Sequence, residues 1–321
     1  MITRLLVSVI LGGVAIAMPG AGHASPDASA SVVAACADSK GERLILDHLP
    51  KRTGPKILLF NGKNLEDWEG WLGYGDPART YRGPAGSPLG HEGADGVFKR
   101  VREDGKPAIY ISGKTWGALT HKGDFGNYHL RLEFKWGEKR WPPSEGNPPN
   151  NGVMYHSHGN PGEIFGTWMK SVEFEMVPGS LGMALPIALN IRFNTSVAVD
   201  LSLPAPHYRF MEGGEDLVVA PMLNVKVAQN AERPHGEWNR LDLYVLGDKA
   251  IHVVNGVPVM MVRGIRTVDA TGRAVPLTHG RIQLQSQGAE TYFRSLVIEP
   301  IDALPTIRTI RDARDGTCAR Q

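Results

Sequence analysis

Residues 170–179 read KSVEFEMVPG and place two carboxylates, Glu173 and Glu175, one residue apart inside an apolar run. On an extended strand, side chains at i and i+2 share a face, about 7 Å apart at a rise of about 3.3 Å per residue. Paired carboxylates at that scale suit acid–base work on a glycosidic bond, where retaining glycosidases hold theirs about 5–5.5 Å apart. They also suit a shared divalent ion. Two solvated carboxylates on a wet strand face account for the spacing as simply. His156 and His158 repeat the i, i+2 spacing in GVMYHSHG. Two imidazoles and two carboxylates could make a metal site, although this spacing does not specify one as a helical His-Glu-x-x-His does.

Other candidate groups lie nearby in the chain. Asn150, Asn151 and Gly152 open the histidine strand, and Asn before Gly is first a turn signal. Trp136, Trp141 and Trp168 could stack on sugar rings or fill a core. Trp141 lies in the Pro-rich stretch GEKRWPPSEGNPPNN, 137–151, which makes it the better ligand candidate. The chain has no Gly-rich phosphate loop, no Gly-x-Ser-x-Gly elbow and no paired-Cys motif. A formal charge of +2 over 321 residues gives no electrostatic case for nucleic acid.

The elements that must carry these groups read as strands. Segments with period-two alternation recur from residue 97 to 300, among them YHLRLEFKW, SVEFEMV, IALNIRF and RIQLQSQ, almost all separated by turn residues. About a dozen such segments signal a β-sandwich or barrel. With 38 Gly and 23 Pro the composition suits strands and turns, and 42 % apolar residues suffice for a core. Alternation also assigns faces. Leu130, Leu132 and Phe134 oppose His129, Arg131, Glu133 and Lys135; Leu189, Ile191 and Phe193 oppose Asn190 and Arg192; Ile282 and Leu284 oppose Gln283, Gln285 and Gln287. A face of His, Arg, Asn, Gln and carboxylates can serve the hydroxyls of a saccharide. Residues 73–96 are too rich in Gly and Pro for a regular element and read as a long ordered loop, a frequent place for function.

The N-terminus reads as an export signal. Arg4 precedes an apolar stretch from Leu5 to Ala17, followed by small residues with a cut expected after Ala24. The stretch is shorter than the roughly 20 residues of a membrane span. Export would expose Cys36 and Cys318 to an oxidising compartment, where a disulfide between them is expected. Val33, Ala34, Ala35 and Cys36 also resemble a lipoprotein cleavage box, but Cys36 lies far beyond the apolar stretch. The chain is thus divided into a signal peptide (1–24), a tail or strap (25–55), a β-sandwich domain (56–302) and a C-terminal tail (303–321).

Seven segments in register resemble the 3-keto-disaccharide hydrolase family. They are LLFNGKNLEDWEGW, LTHKGDFGNYHLRLEFKWGEKRW, NNGVMYHSHG, WMKSVEFEMVPGSLG, HGEWNRLDLYV, VVNGVPV and GRIQLQSQGAETYFRSLVIEPI. The resemblance covers about residues 56–302. It implies a concanavalin-like sandwich, or jelly roll, of two curved antiparallel sheets with the ligand on one face, bacterial export to the periplasm or beyond, and action on sugars oxidised at C3. A C3 ketone acidifies the C2 hydrogen, so a base can form an enolate and the group on C1 can leave, with water adding afterwards. On this chain the resemblance implies Glu175 or His156 as base, Glu173 with His156 as the corner of a divalent metal site if one exists, and Glu133, Arg131, Asn151 and Gln285 as substrate contacts. Trp141 and Arg192 join these from the residue reading. The chain departs from the family at two positions. Glu175 stands where members tend to carry Gln, and Met183 where they tend to carry Asp.

A conventional glycoside hydrolase and a non-catalytic carbohydrate-binding module on the same sandwich are the alternatives. The expected partner is a small saccharide or glycoside, with no nucleic acid and no membrane span. The sequence sets neither the anomer nor the oligomeric state.

Overall fold

The structure, a computed structural model, describes residues 42–82, 86–201, 207–221 and 223–311. The expected signal segment and the expected Cys36–Cys318 disulfide lie outside the described residues. Residues 44–308 form one compact unit, and the described residues 42–43 and 309–311 fall outside it. The compact unit carries both layers of the sandwich. Among the described residues no helix is long and apolar enough to cross a membrane.

The fold is an all-β sandwich of the expected concanavalin-like kind. One sheet has six strands, in the order β10 (Met183–Pro186), β9 (Lys170–Met176), β8 (Asn151–His158), β19 (Arg281–Ser286), β6 (Gly117–His121) and β3 (Trp68–Leu72). The larger sheet runs β14 (Val225–Lys226), β12 (His207–Phe210), β11 (Arg192–Asp200), β17 (Val257–Val268), β16 (Lys249–Val254), β15 (Asn239–Leu246), β7 (Tyr128–Arg140), β20 (Ala289–Pro300), β5 (Lys106–Ile111) and β4 (Phe98–Glu103). Three short strands flank this path: β2 (Ile57–Leu58) on β20, β13 (Glu215–Val219) on β11 and β18 (Ala274–Pro276) on β17. β1 (Glu42–Asp47) and β21 (Thr306–Arg311) pair separately, and Arg308 donates to Asp47.

Local sequence explains the sharp reversals. Asp104-Gly105 joins β4 to β5 and Asn255-Gly256 joins β16 to β17, with all four residues at positive φ. That is the left-handed pair a two-residue hairpin needs to follow the strand twist. The core then forms from alternate residues of facing strands. Val172, Phe174 and Met176 of β9, Val153 and Tyr155 of β8, and Ile282 and Leu284 of β19 pack with Leu130, Leu132 and Phe134 of β7 and Leu241, Leu243 and Val245 of β15. Burying one such large side chain is worth about 1.5–3 kcal/mol.

A histidine is among the polar groups enclosed in this core. His252 stacks on Phe174 with ring centroids 4.5 Å apart, accepts from the Tyr155 hydroxyl at 3.0 Å and donates to the Gly182 carbonyl at 2.9 Å. Burial pushes its pKa down to about 4, so the ring is neutral at physiological pH.

The structure differs from the sequence reading in four places, one of them the stretch 73–96, where Asp76 caps a 3-10 turn at Pro77–Arg79 and a short helix starts at Ala94. The strand expected over IALNIRF starts only at Arg192, and Leu189 is 82 % exposed rather than part of an apolar face, because it lies in the turn between β10 and β11. β17 carries no alternating signal over its first half, VPVMMV, which is continuously apolar. β6 carries none either. All five of its residues are buried, since one face meets the core and the other a layer of aromatic rings.

Candidate functional site

The site lies on the face of the six-stranded sheet that points away from the core. Strand register places its members. Glu173 faces Met154 and Leu185 across the ladder, and Glu175 faces Gly152 and Met183. Gln283 faces Met154 on one side and Thr120 on the other, while Gln285 faces Ala118. Directly opposed residues share a face, so Glu173, Glu175, Gln283 and Gln285 form one patch. Gly152 makes room for it: a Cβ there would stand 1.9 Å from Glu173 Oε1.

Aromatic residues close over this patch. Trp116 and Trp168 are stacked 6.1 Å apart and cluster with Ala118 and Met154. Tyr81 packs on both of them and on Phe165. The cover comes from three connections, with rings from residues 73–82, 112–116 and 159–169, and the last is tied to the sheet edge where Trp71 of β3 donates its indole N–H to the Gly166 carbonyl at 3.0 Å. Beneath the cover Glu173 is 2 % and Glu175 5 % exposed.

Burial of two carboxyls side by side decides their protonation. Glu173 is pushed well above the ordinary carboxyl range, first by burial and then by the charge of Glu175. Glu175 is raised by burial to about 7, a rise moderated by bonds from Glu173 and from the Asn150 side-chain amide, the latter at 2.7 Å. Burial and mutual repulsion therefore hold both carboxyls toward their protonated forms, and the two titrate as a pair. Several buried polar atoms around them have no protein partner: Glu173 Oε1, Gln283 Oε1, Gln285 Oε1, Asn150 Oδ1 and Trp116 Nε1. Unpaired buried groups are costly, and five in one patch mark a surface built for a polar ligand.

The residues singled out from sequence separate into two groups. Glu173, Glu175 and Gln285 come together on the covered face. His156 does not join them. A β-bulge between Tyr155 and His158, with His156 at φ 53°, turns its ring away, and Nε2 donates at 3.1 Å to the carbonyl of Gly247, in the turn between β15 and β16. Burial lowers its pKa to about 4. His158 donates back to the His156 carbonyl. Asn151 points between the sheets, where Nδ2 donates to Thr291 Oγ1 at 2.8 Å and Oδ1 accepts from Gly152 N–H.

Arg131 and Glu133 sit on β7 of the larger sheet, on the side away from the core, paired with Asp242 and Arg294. Arg192 is exposed on β11, opposite Arg266 of β17. Trp141 spends its indole N–H on the Ser112 carbonyl and carries the Lys114 ammonium over its ring. Alternation reports which side of a strand a residue takes, not which sheet the strand joins, and that is why one polar face read from sequence divides into two.

Asn151→Ala is therefore expected to act on stability. It would leave the Thr291 hydroxyl and the Gly152 N–H unpaired at a cost of about 1–3 kcal/mol, seen as a lower denaturation midpoint with KM unchanged. A raised KM at full stability would return Asn151 to the ligand.

The residues present do not fit the expected metal corner. His156 and Glu173 face opposite ways, Met183 stands beside Glu175, and among the described residues no three His, Cys, Asp or Glu side chains converge as a ligand set. Met183 and Glu175 are direct register partners, so the chain's two departures from the family pattern occupy one spot on the sheet.

A β-sandwich that gathers carboxyls, side-chain amides and aromatic rings under one cover belongs to the class of carbohydrate-active domains. The particular family follows from the sequence. The 3-keto-alpha-glucoside-1,2-lyase-like domain matches residues 55–299, and the chain belongs to that family. No curated protein matches the chain. Among solved structures, a candidate glycosyl hydrolase from Parabacteroides distasonis ATCC 8503 is similar at 16 % identity and a TM-score of 0.43, covering 77 % of this chain and 100 % of its own. A Bacillus subtilis protein of unknown function with a galectin-like fold is similar at 11 % identity and 0.40, covering 79 % and 100 %.

Proposed function

We propose that this chain cleaves 3-keto glycosides by removing the C2 proton and eliminating the group on C1, with water adding afterwards to complete hydrolysis. The observation that supports this most directly is the buried Glu173–Glu175 pair, one member ionising at about pH 7 and the other retaining its proton. A base near its own pKa at working pH gives the best balance of ionised fraction and basicity. Glu175 takes the C2 proton, and the electron pair moves onto the C3 oxygen as an enolate. Protonated Glu173 and the second amide hydrogen of Gln283, whose first goes to Thr120 Oγ1 at 2.8 Å, are the neighbouring donors for that oxygen. Of the two candidate bases, His156 is set aside by its position, and Glu175 takes the role. Substrate entry requires the loops of the cover to part. On the N-terminal sequence alone we place the protein outside the cytoplasm.

The test is turnover of an aryl 3-keto-glucoside beside its unoxidised parent, with and without a chelator. Cleavage of the keto sugar alone supports the reading. Equal cleavage of the parent favours a conventional glycosidase. Binding without turnover favours a carbohydrate-binding module. Loss of turnover with chelator would show an ion held by donors other than His156 and Glu173.

A further inference from the structure

Residues 73–82 bring the Tyr81 hydroxyl into the cover of the site. Tyr81 lies edge-on to Trp116 at 5.6 Å and to Phe165 at 5.3 Å, and tilts against Trp168 at 6.2 Å. Trp116 and Trp168 pack on Ala118 and Met154, the register partners of Gln285 and Glu173. The phenol thus belongs to the cover directly over the carboxyl pair. Its oxygen accepts a bond from Gln287 Nε2 at 3.4 Å, which leaves its own proton to give elsewhere. Burial, and then the charges of Glu173 and Glu175, push its pKa up, so it stays protonated across the neutral range and acts as a donor, not a base.

Elimination needs such a donor. As C1–O breaks, the electron pair goes to the departing oxygen, and a sugar or alkyl alcohol leaves slowly without a proton. We propose that Tyr81 is the general acid of this site, giving its proton to the oxygen that leaves C1. The assignment rests on the elimination reading of the function.

The step balances. The C2–H proton goes to Glu175 and its electrons form the enolate. Collapse of the enolate forms C1=C2, restores the C3 ketone and expels the C1 oxygen, which takes the Tyr81 proton. The phenolate then recovers a proton from the carboxyl pair, which holds the one taken from C2. The products are an enone and an alcohol, with no oxidant or reductant consumed. Base and acid come from different parts of the fold, the base from the strand floor and the acid from the cover.

The test compares wild type with Tyr81→Phe on 3-keto-glucosides whose leaving groups run from 4-nitrophenol to methanol. The loss should grow from a few-fold on the nitrophenyl substrate to about 10²–10³-fold on the methyl substrate. Phe165→Leu, which removes a ring neighbour and leaves the hydroxyl, should lose the same factor on every substrate. An equal loss for Tyr81→Phe across the series, or none, would overturn the assignment and leave Tyr81 a packing residue. Wild type silent on the whole series would overturn the elimination reading, and Tyr81 as its acid with it. Unfolding midpoints of both variants show whether a loss is one of fold.

Discussion

Glu175→Gln is expected to lower kcat/KM on a 3-keto-glucoside by roughly 10³-fold, the scale of a lost general base. Gln keeps the shape of the side chain and can still bond Asn150, so the loss should fall on kcat with little change in KM. The wild-type pH profile should carry a rising limb centred near pH 7, where Glu175 ionises. A profile flat through that range, or a variant within tenfold of wild type, would remove Glu175 from the chemistry. His156→Gln is the informative companion. With its ring held against the Gly247 carbonyl, its loss should weaken the fold and leave the limb in place.

The same carboxyl predicts a stability difference with a definite sign. Its ordinary pKa is 4.5 and its folded value about 7, so the native state binds the proton more tightly than the unfolded chain. Stability from this group is fully present below pH 4.5 and is lost as pH rises through 7, a change of about 3 kcal/mol. Wild-type stability alone will not show it. His156 and His252, held neutral by burial with values near 4, work in the opposite direction as pH falls below 6.5. The difference between Glu175→Gln and wild type cancels those contributions. By denaturant titration the variant should be near wild type at pH 4.5 and more stable by about 3 kcal/mol at pH 8. A gap that does not move with pH would mean that burial does not raise Glu175 in the folded chain. A variant that is both more stable and inactive is the expected signature of a site that gives up stability for chemistry.

The pairing of Met183 with Glu175 bears on how this family member differs from others. In the family pattern an Asp at 183 would lie beside a Gln at 175. Here the carboxylate is on β9 and a thioether is its neighbour.

Much of the fold is legible in the sequence because alternation and turn chemistry are local. The core faces of β7, β9 and β19 are readable from periodicity, since burial on one side imprints a period of two on the residues themselves. The same physics hides β6 and β17, which are covered on both sides or continuously apolar and carry no such period. Glu173 and Glu175 are legible as a pair because i and i+2 on one strand must share a face.

What surrounds them is a tertiary matter. The bulge at His156, the placement of β19 between β8 and β6, and the descent of Tyr81 and Trp116 from loops distant in sequence depend on contacts between segments far apart in the chain. Residue types and spacing determined that this is a β-sandwich or barrel with a carboxylate pair on one strand face, and the family resemblance made it a sandwich. Only the packed structure decided that the face is closed, because no local pattern records which rings fold over a strand. That closure removes water from two adjoining carboxyls and raises the pKa of both.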